Sequence, residues 1–248
     1  MSVHFVGAGP GAADLITLRA QRLLASCSVC LYAGSLVPAE VLAHCPPDAR
    51  LIDTRDLTLD DITAELVAAE RRGEDVVRLC SGDPSIYSAM AEQFRRLDAA
   101  GVGYDVTPGV PAFAAAAASL KRELTVPTVA QSVVLTRFAQ RATPMPAGET
   151  VSTHASPGTT MVLHLAVQAV DEVVASLLPG YGPDVPVAVV AQASRDTELV
   201  LRGTLSSIAA QVHEAGVTRT AVIVVGHALA AEGFADSHLY SCERDRSR

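Results

Sequence analysis

The chain has 248 residues, of which 49% are hydrophobic and 19% charged, and its formal net charge is −8. That composition excludes a disordered chain, and the acidic balance argues against nucleic acid as the main partner. No run reaches the roughly 18 apolar residues of a membrane span; the nearest, Val110–Leu120, is short, Ala-dominated and carries Pro111, so no membrane partner is expected.

The amino terminus runs almost directly into the strand-like VHFVG, with no basic lead or cleavage site. No signal peptide is therefore expected, and a cytoplasmic location is. Short apolar runs then alternate with helical patterns, the signature of α/β architecture. In the first half the predicted strands are Val3–Val6, Val29–Tyr32, Arg50–Asp53, Val76–Cys80 and Tyr104–Thr107. Between them lie helix patterns at Asp14–Ala25, Leu59–Arg71 and Ser88–Ala100. Thr58 and Asp61 have the spacing of an acidic capping box, and Gly73 and Gly101 stand where helices end.

The second half is patterned differently. Strands are predicted at Ser132–Thr136, Thr160–Leu165, Val185–Ala191, Glu198–Arg202 and Ala221–Val225, with helices at Val167–Leu178 and Ser206–Ala215. So little helix separates the later strands that a mixed sheet is expected. Pro127 follows a polar cluster, and a boundary near Lys121–Thr128 divides the chain into two α/β domains, 1–120 and 121–248. The Pro- and Gly-rich stretch Ala139–Gly158 reads as a long loop, of a length that in compact domains is usually functional or mobile.

The five cysteines have no regular spacing. Cys27 and Cys30 form a C-x-x-C, the spacing of a zinc knuckle or a redox pair, but no second pair or His cluster completes a site. At the start of a strand an offset of three would point them to opposite faces. The favoured reading is small apolar packing residues in a reducing compartment. No histidine has ligand-like spacing, His164 reads as a packed residue of an apolar strand, and no metal is assigned.

Three turns carry the functional signal. Gly7-Ala8-Gly9-Pro10-Gly11-Ala12 follows the first strand and fits the dinucleotide fingerprint G-x-G-x-x-A. Two details oppose a nicotinamide or flavin oxidoreductase. Pro10 has no N–H to give a phosphate, and the second strand ends in Leu31-Tyr32-Ala33, where a ribose-binding acid is expected. Cys80-Ser81-Gly82-Asp83-Pro84-Ser85-Ile86-Tyr87 and the TPGVPA segment around Pro111 also follow strands. Parallel strands bring such turns to one edge, where ligands gather.

Taken in order, VGAGPGAADLITLRA, LCSGDPSIYSA, YDVTPGVPAFAAAAA, PVAVVAQAS and TAVIVVG resemble the tetrapyrrole (corrin/porphyrin) methylase superfamily. YAGSLVP and SVVLTRFAQRATPMP resemble in particular the branch that methylates precorrin-4 at C-11 in cobalamin synthesis. The resemblance implies two α/β domains with S-adenosylmethionine in the cleft between them, a tetrapyrrole substrate and a homodimer. It implies cofactor contacts at Pro10, at Ser81, Gly82, Asp83 and Ile86, and at Pro111 and Ala112. In the second half it implies Leu165 and Ala193, beside the adenosyl group, and Thr220 and Ala221. Members that methylate uroporphyrinogen carry an Asp after the second-strand Tyr and a Lys some way on as acid/base groups. This chain has Tyr32-Ala33-Gly34-Ser35 and then Asp53-Thr54-Arg55-Asp56, so those roles do not transfer. Within the superfamily, acidic charge speaks against an RNA methylase, and YAGSLVP against the precorrin-2, precorrin-3 and diphthamide branches. A non-catalytic tetrapyrrole carrier would share the macrocycle but transfer no methyl group.

Methyl transfer from a sulfonium asks a protein mainly for alignment and exclusion of water. A site of Gly, Pro, Ser and small apolar residues suits that task. Asp83 has two readings, acceptor for the cofactor's ammonium group or cap of its own turn. A precorrin carries many carboxylates and calls for Arg contacts. The candidates are Arg55, Arg122, Arg137 and Arg141, in or beside loops, each equally readable as solvated charge. Tyr32 and Tyr87 are read as facing the macrocycle or as half-buried packing residues.

Overall fold

The computed structural model describes residues 3–138 and 143–238. The chain divides into two compact units, Met1–Ala115 and Ala116–Arg248. The division falls inside a helix, upstream of the boundary expected at residue 120.

The first unit holds β1 (Val3–Gly7), α1 (Leu18–Ser26), β2 (Val29–Tyr32), α2 (Ala39–Leu42), β3 (Arg50–Asp53), α3 (Leu59–Arg71), β4 (Val76–Cys80), α4 (Met90–Ala100) and β5 (Tyr104–Thr107). All five strands are parallel, in the order β3-β2-β4-β1-β5. Because side chains alternate across a strand, neighbours face opposite layers. Val6, Val77 and Leu79 pack with Leu24 and Val41 beneath α1 and α2. Phe5, Val76 and Leu31 pack with Leu66 and Leu97 beneath α3 and α4. Both faces are covered, and the connections from β1 and β4 leave in opposite directions along the sheet. That arrangement creates a crevice at the carboxyl ends of these two strands.

Local chemistry sets the helix ends. Thr58 accepts from the Asp61 N–H at 3.1 Å while Asp61 accepts from the Thr58 N–H at 3.1 Å, so the expected capping box is formed. Gly73 (φ +76°) and Gly101 (φ +69°) close α3 and α4 in the left-handed conformation that glycine allows. The helix expected over Asp14–Ala25 instead begins at Leu18, because Thr17 accepts from the Ala20 N–H at 3.1 Å; only a 3-10 turn, Ala13–Leu15, precedes it. Arg78 lies buried in the middle of β4 and gives its guanidinium protons to Gln93 and to the carbonyls of Leu31 and Leu79; burial pulls it below the ordinary guanidinium range.

The cysteine reading needs a correction. Cys27, Cys30 and Cys45 are all buried or half-buried in the layer beneath α1 and α2, as the packing reading expects. Cys27, however, caps α1 and precedes β2, so strand alternation does not separate it from Cys30, and the two thiols meet on one side of the sheet.

α5 (Ala112–Leu120) spans the division between the units. The second unit continues with β6 (Ser132–Arg137), β7 (Thr159–His164), α6 (Val170–Tyr181), β8 (Pro186–Ala191), β9 (Leu199–Thr204), α7 (Ile208–Glu214) and β10 (Ala221–Val225). Its sheet is mixed, as expected. The order is β6-β7-β10-β8-β9; only β6 and β7 run parallel. Met161, Leu163, Val187, Val189 and Ile223 bury one face against Val173 and Leu177 of α6 and Ile208 and Val212 of α7. A 3-10 turn at Val151–His154 interrupts the stretch expected as continuous loop, and residues 139–142 within it lie outside the described residues. No helix among the described residues is long and apolar enough to cross a membrane.

Thr58→Ala removes the side-chain half of the capping box. We expect a loss of about 1 kcal/mol in urea unfolding, with the far-ultraviolet circular dichroism of the folded state unchanged.

Candidate active site

The three turns meet at the carboxyl edge of the first sheet, main chain against main chain. The order β4-β1-β5 makes their strands neighbours. The Ala8 N–H donates to the Cys80 carbonyl at 2.7 Å; Gly82 N–H donates to Gly9 at 2.8 Å and Gly9 N–H to Gly82 at 3.2 Å. A Cβ on Gly7 would stand 2.5 Å from the Gly109 Cα, and one on Gly109 would stand 2.8 Å from the Gly7 Cα. No side chain fits at either position. Gly9 (φ +73°) and Gly82 (φ +65°) are glycine for the separate reason that the chain turns through the left-handed region there.

Asp83 ties this junction together. One carboxylate oxygen accepts from the Gly109 N–H at 2.9 Å; the other accepts from the Ser85 N–H at 2.8 Å and from the Ser85 hydroxyl. Burial pushes its pKa up, but these donors outweigh burial and hold it below the usual carboxylate range. The turn-capping reading of Asp83 is therefore realised in the structure. Pro10 is buried at this edge, and Ser81, Ile86, Pro111 and Ala112 are half-buried around it.

The peptide after Asp83 is strained. Tyr87 (φ +55°) and Ala89 (φ +51°) both occupy the left-handed region, which costs an L-residue about 1 kcal/mol or more. Tyr87 is 46% exposed. Further along the edge, Tyr32 ends β2 and packs half-buried against the α1 layer, while its carbonyl accepts from the Thr54 N–H at 3.0 Å. Arg55 is paired with Asp53 at 3.3 Å and lies against Gly34.

The second unit gathers its own set. Because β10 runs antiparallel to β7 and β8, its first residues lie beside the last residues of both: Ala221 pairs with Ala191, and Ile223 with Leu163. Leu165, Ala193, Thr220 and Ala221 are thus brought to one sheet edge. Leu165 (φ +52°), Gln192 (φ +53°), Ser194 (φ +67°) and Thr220 (φ +53°) are all left-handed there without being glycine. Such a concentration of strain is a mark of functional corners. The Gln192 N–H donates to the Thr220 carbonyl at 2.8 Å, and the Ser194 N–H to Glu198 Oε2 at 2.7 Å. Leu165 is 66% exposed, an unusual state for a leucine immediately after a buried strand.

Arg137 ends β6 opposite His164 at the same edge. Its Nη2 donates to the Thr143 carbonyl at 2.6 Å, while its Nη1 is buried with no hydrogen-bond partner among the described residues. Gln192 Oε1 is likewise buried and unpartnered among them. Sequence reasoning missed Gln192: nothing in VVAQAS announces a strained corner. Arg122 is not brought to this edge. It lines a cavity of about 340 Å³ with Arg202, Leu120 and the first residues of β8, whereas Ala193 follows the last residue of that strand. Arg141 lies outside the described residues.

The arrangement suits a ligand held by main-chain groups. The edge of the first sheet offers Ser81, Gly82 and the start of α5, packed main chain against main chain; that of the second offers four left-handed corners. No group of three or more His, Cys, Asp or Glu among the described residues is placed to hold a metal ion. A dinucleotide phosphate is poorly served, since six residues separate Gly11 from the first residue of α1. The helix amino terminus that such a phosphate requires is not at the turn.

A sequence profile of the Tetrapyrrole (Corrin/Porphyrin) Methylases matches residues 2–209. The chain belongs to this family. It is 62% identical over 247 residues to a precorrin-4 C(11)-methyltransferase of Rhodococcus erythropolis, covering 100% of this chain and 99% of that one. Among solved structures, a cobalt precorrin-4 methyltransferase superposes with a TM-score of 0.89 at 34% identity, covering 92% of this chain and 95% of the other. A uroporphyrin-III C-methyl transferase from Thermus thermophilus, complexed with S-adenosyl homocysteine, superposes with a TM-score of 0.77 at 28% identity over 92% and 93% of the chains.

Asp83→Asn places an amide nitrogen against one of the donors that the carboxylate now satisfies. We expect a loss of about 1–3 kcal/mol at neutral pH. The folded pKa is depressed, so the wild-type advantage is fully present above the unfolded carboxyl value near 4. It disappears as pH falls through the lower, folded one. Urea unfolding of both proteins at neutral pH and at about pH 3 measures the difference and its decline.

Proposed function

We propose that this chain transfers a methyl group from S-adenosylmethionine to C-11 of precorrin-4, giving precorrin-5 in cobalamin synthesis. The observation that carries the reading is near-complete alignment at 62% identity with a precorrin-4 C(11)-methyltransferase. The junction of Gly7, Gly82 and Gly109 supports it, since it builds the strand edge from closely packed main chain without bulky side chains.

In this reading Pro10, Ser81, Gly82, Asp83, Ile86, Pro111 and Ala112 hold the cofactor in the first unit, and Leu165, Ala193, Thr220 and Ala221 in the second. The bound cofactor supplies an activated methyl group from its sulfonium. The protein's own work is to align donor and acceptor and to exclude water, for which small residues and fixed main-chain donors are sufficient. Arg137, with its buried Nη1 unpartnered among the described residues, is the first choice for a substrate carboxylate; Arg55, partly neutralised by Asp53, is the weaker one. Tyr87, exposed and strained, faces the substrate in this reading, whereas Tyr32 serves the packing of its strand end. The reading includes a homodimer in the cytoplasm, with neither nucleic acid nor membrane as partner. A second substrate, cobalt-containing precorrin-4, is favoured by the name of the structure that superposes at a TM-score of 0.89.

The deciding experiment incubates the protein with methyl-labelled S-adenosylmethionine and either metal-free or cobalt-containing precorrin-4, followed by NMR of the product. Label at C-11 is expected; label at another ring position, or none with competent substrate, rejects the reading. Arg137→Ala is expected to raise KM for the precorrin about tenfold, the loss of one charged hydrogen bond. Calorimetry should find cofactor affinity unchanged.

A further inference from the structure

Three thiols that play no part in the methyltransfer reading lie together beneath α1 and α2. Cys27, the cap of α1, is 2% exposed; Cys30, in β2, is 0% exposed; Cys45, in the turn after α2, is half-buried and reaches solvent. The Cys27 thiol points at the Cys45 sulfur at 3.8 Å, and Cys30 packs in the same buried layer. Bonded sulfurs stand about 2.05 Å apart, so less than 2 Å of closure converts the pair. Rotation of the Cys27 and Cys45 side chains is the movement needed, and Cys45 lies in the turn after the four-residue α2, outside any regular element.

The alternative use of three clustered cysteines is a metal site, but no group of three such ligands among the described residues is placed to hold one. Burial of Cys27 and Cys30 beside a more open Cys45 is instead the pattern of an accessible thiol with a resolving partner behind it. Hydrogen bonds from Cys27 and Cys30 hold the Cys45 thiol well below its ordinary range, with His44 adding to the effect and burial opposing it. A thiolate at Cys45 is the nucleophile that such chemistry needs.

We propose that Cys45 and Cys27 form a reversible disulfide when the protein meets a peroxide. The Cys45 thiolate attacks the peroxide, an S–O bond forms as the O–O bond breaks, and the departing oxygen takes up from solvent the proton that Cys45 released on ionising, leaving as water or alcohol. The Cys27 sulfur then attacks Cys45 Sγ. The S–S bond forms as the S–O bond breaks, and the sulfenic oxygen leaves as water carrying the Cys27 proton. Two thiols lose two electrons and the peroxide gains them; a small dithiol reverses the step. The bond clips the end of α1 to the turn after α2, across the segment that holds Tyr32 and Gly34.

The test treats the full-length protein with a modest excess of hydrogen peroxide, then alkylates it under denaturing conditions and analyses it by mass spectrometry. Cys27, Cys30 and Cys45 share one tryptic fragment, so chymotrypsin is added to cut after Tyr32 and Leu36. The expected product is about 2 Da lighter, has its Cys27 and Cys45 fragments cross-linked, and reverts with dithiothreitol. In Cys45→Ser that cross-link is lost and Cys27 remains open to alkylation. The proposal is overturned if both cysteines alkylate after oxidation as fully as buried Cys80. A bond that joins Cys27 to Cys30, or that uses Cys80 or Cys242, overturns it equally, as does Cys45 ending as a sulfinic acid with no partner. None of these outcomes depends on methyltransferase activity.

Discussion

The carboxyl edge of the first sheet depends on two polypeptide backbones touching where side chains would ordinarily keep them apart. Gly7 and Gly109 end or follow neighbouring strands, and their α-carbons approach so closely that a single methyl group at either would collide. That contact draws the turn after β5 onto the turn after β1. The reciprocal hydrogen bonds of Gly9 and Gly82 then fix the turn after β4 on the other side. Asp83 locks the set by reaching from the third turn to the first residue of the contact, Gly109. Without the contact the turn after β5 would be held chiefly through Asp83; with it the three turns form one rigid, closely packed main-chain junction. Rigidity of this kind is what permits Tyr87 and Ala89 to be held in a disfavoured conformation, because strain persists only where the surroundings over-determine it.

The second unit reaches a comparable result without glycine. Its antiparallel β10 brings a strand beginning between two strand ends, and the chain leaves each of those ends through a left-handed residue. Glu198 anchors one of them by accepting from both Ser194 and Ser119 at 2.7 Å. Leucine, glutamine, serine and threonine pay a conformational penalty at these corners that glycine would not. Their presence means that the side chains, or the restriction they place on the chain, matter at those points.

Much of the frame was legible in the sequence, and the reasons are local. β2, β3, β4, β5 and β10 have the bounds that alternation and turn residues predicted, and Thr58 with Asp61 announced the start of α3. Errors arose where one hydrogen bond outweighed the pattern: Thr17 starts α1 later than its apolar periodicity suggests. The four residues of α2 are too few to show a period. Six of the nine residues of α5 are alanine, so it has high helix propensity but no polar face to reveal it.

The candidate site was legible to a different degree in each unit. Turns that follow parallel strands must share an edge, so the convergence of the Gly9, Gly82 and Pro111 segments could be inferred. Gln192 could not, since its importance lies in a backbone angle and a buried oxygen that only the folded chain defines. Arg122 was an attractive basic residue beside a loop, yet the fold puts it near the start of β8, away from the edge that follows the strand's end. Nor could Cys45 be linked to a C-x-x-C motif fifteen residues upstream of it until β2 and α2 had folded back on each other.

The backbone character of the edge around Gly82 also bears on how such a protein changes over evolutionary time. Amides and carbonyls are the same in every residue but proline, so contacts made through them tolerate replacement of Ser81, Ala112 or Ala193 by other small residues. Side chains further out, such as Tyr87, Arg55 and Arg137, contribute through their own chemistry, and in the proposed reading they face the substrate. On the same reading, the parts that hold the methyl donor and the acceptor are therefore separable. A laboratory seeking a new methyl acceptor should therefore randomise the outer side chains and leave every glycine of the three turns alone.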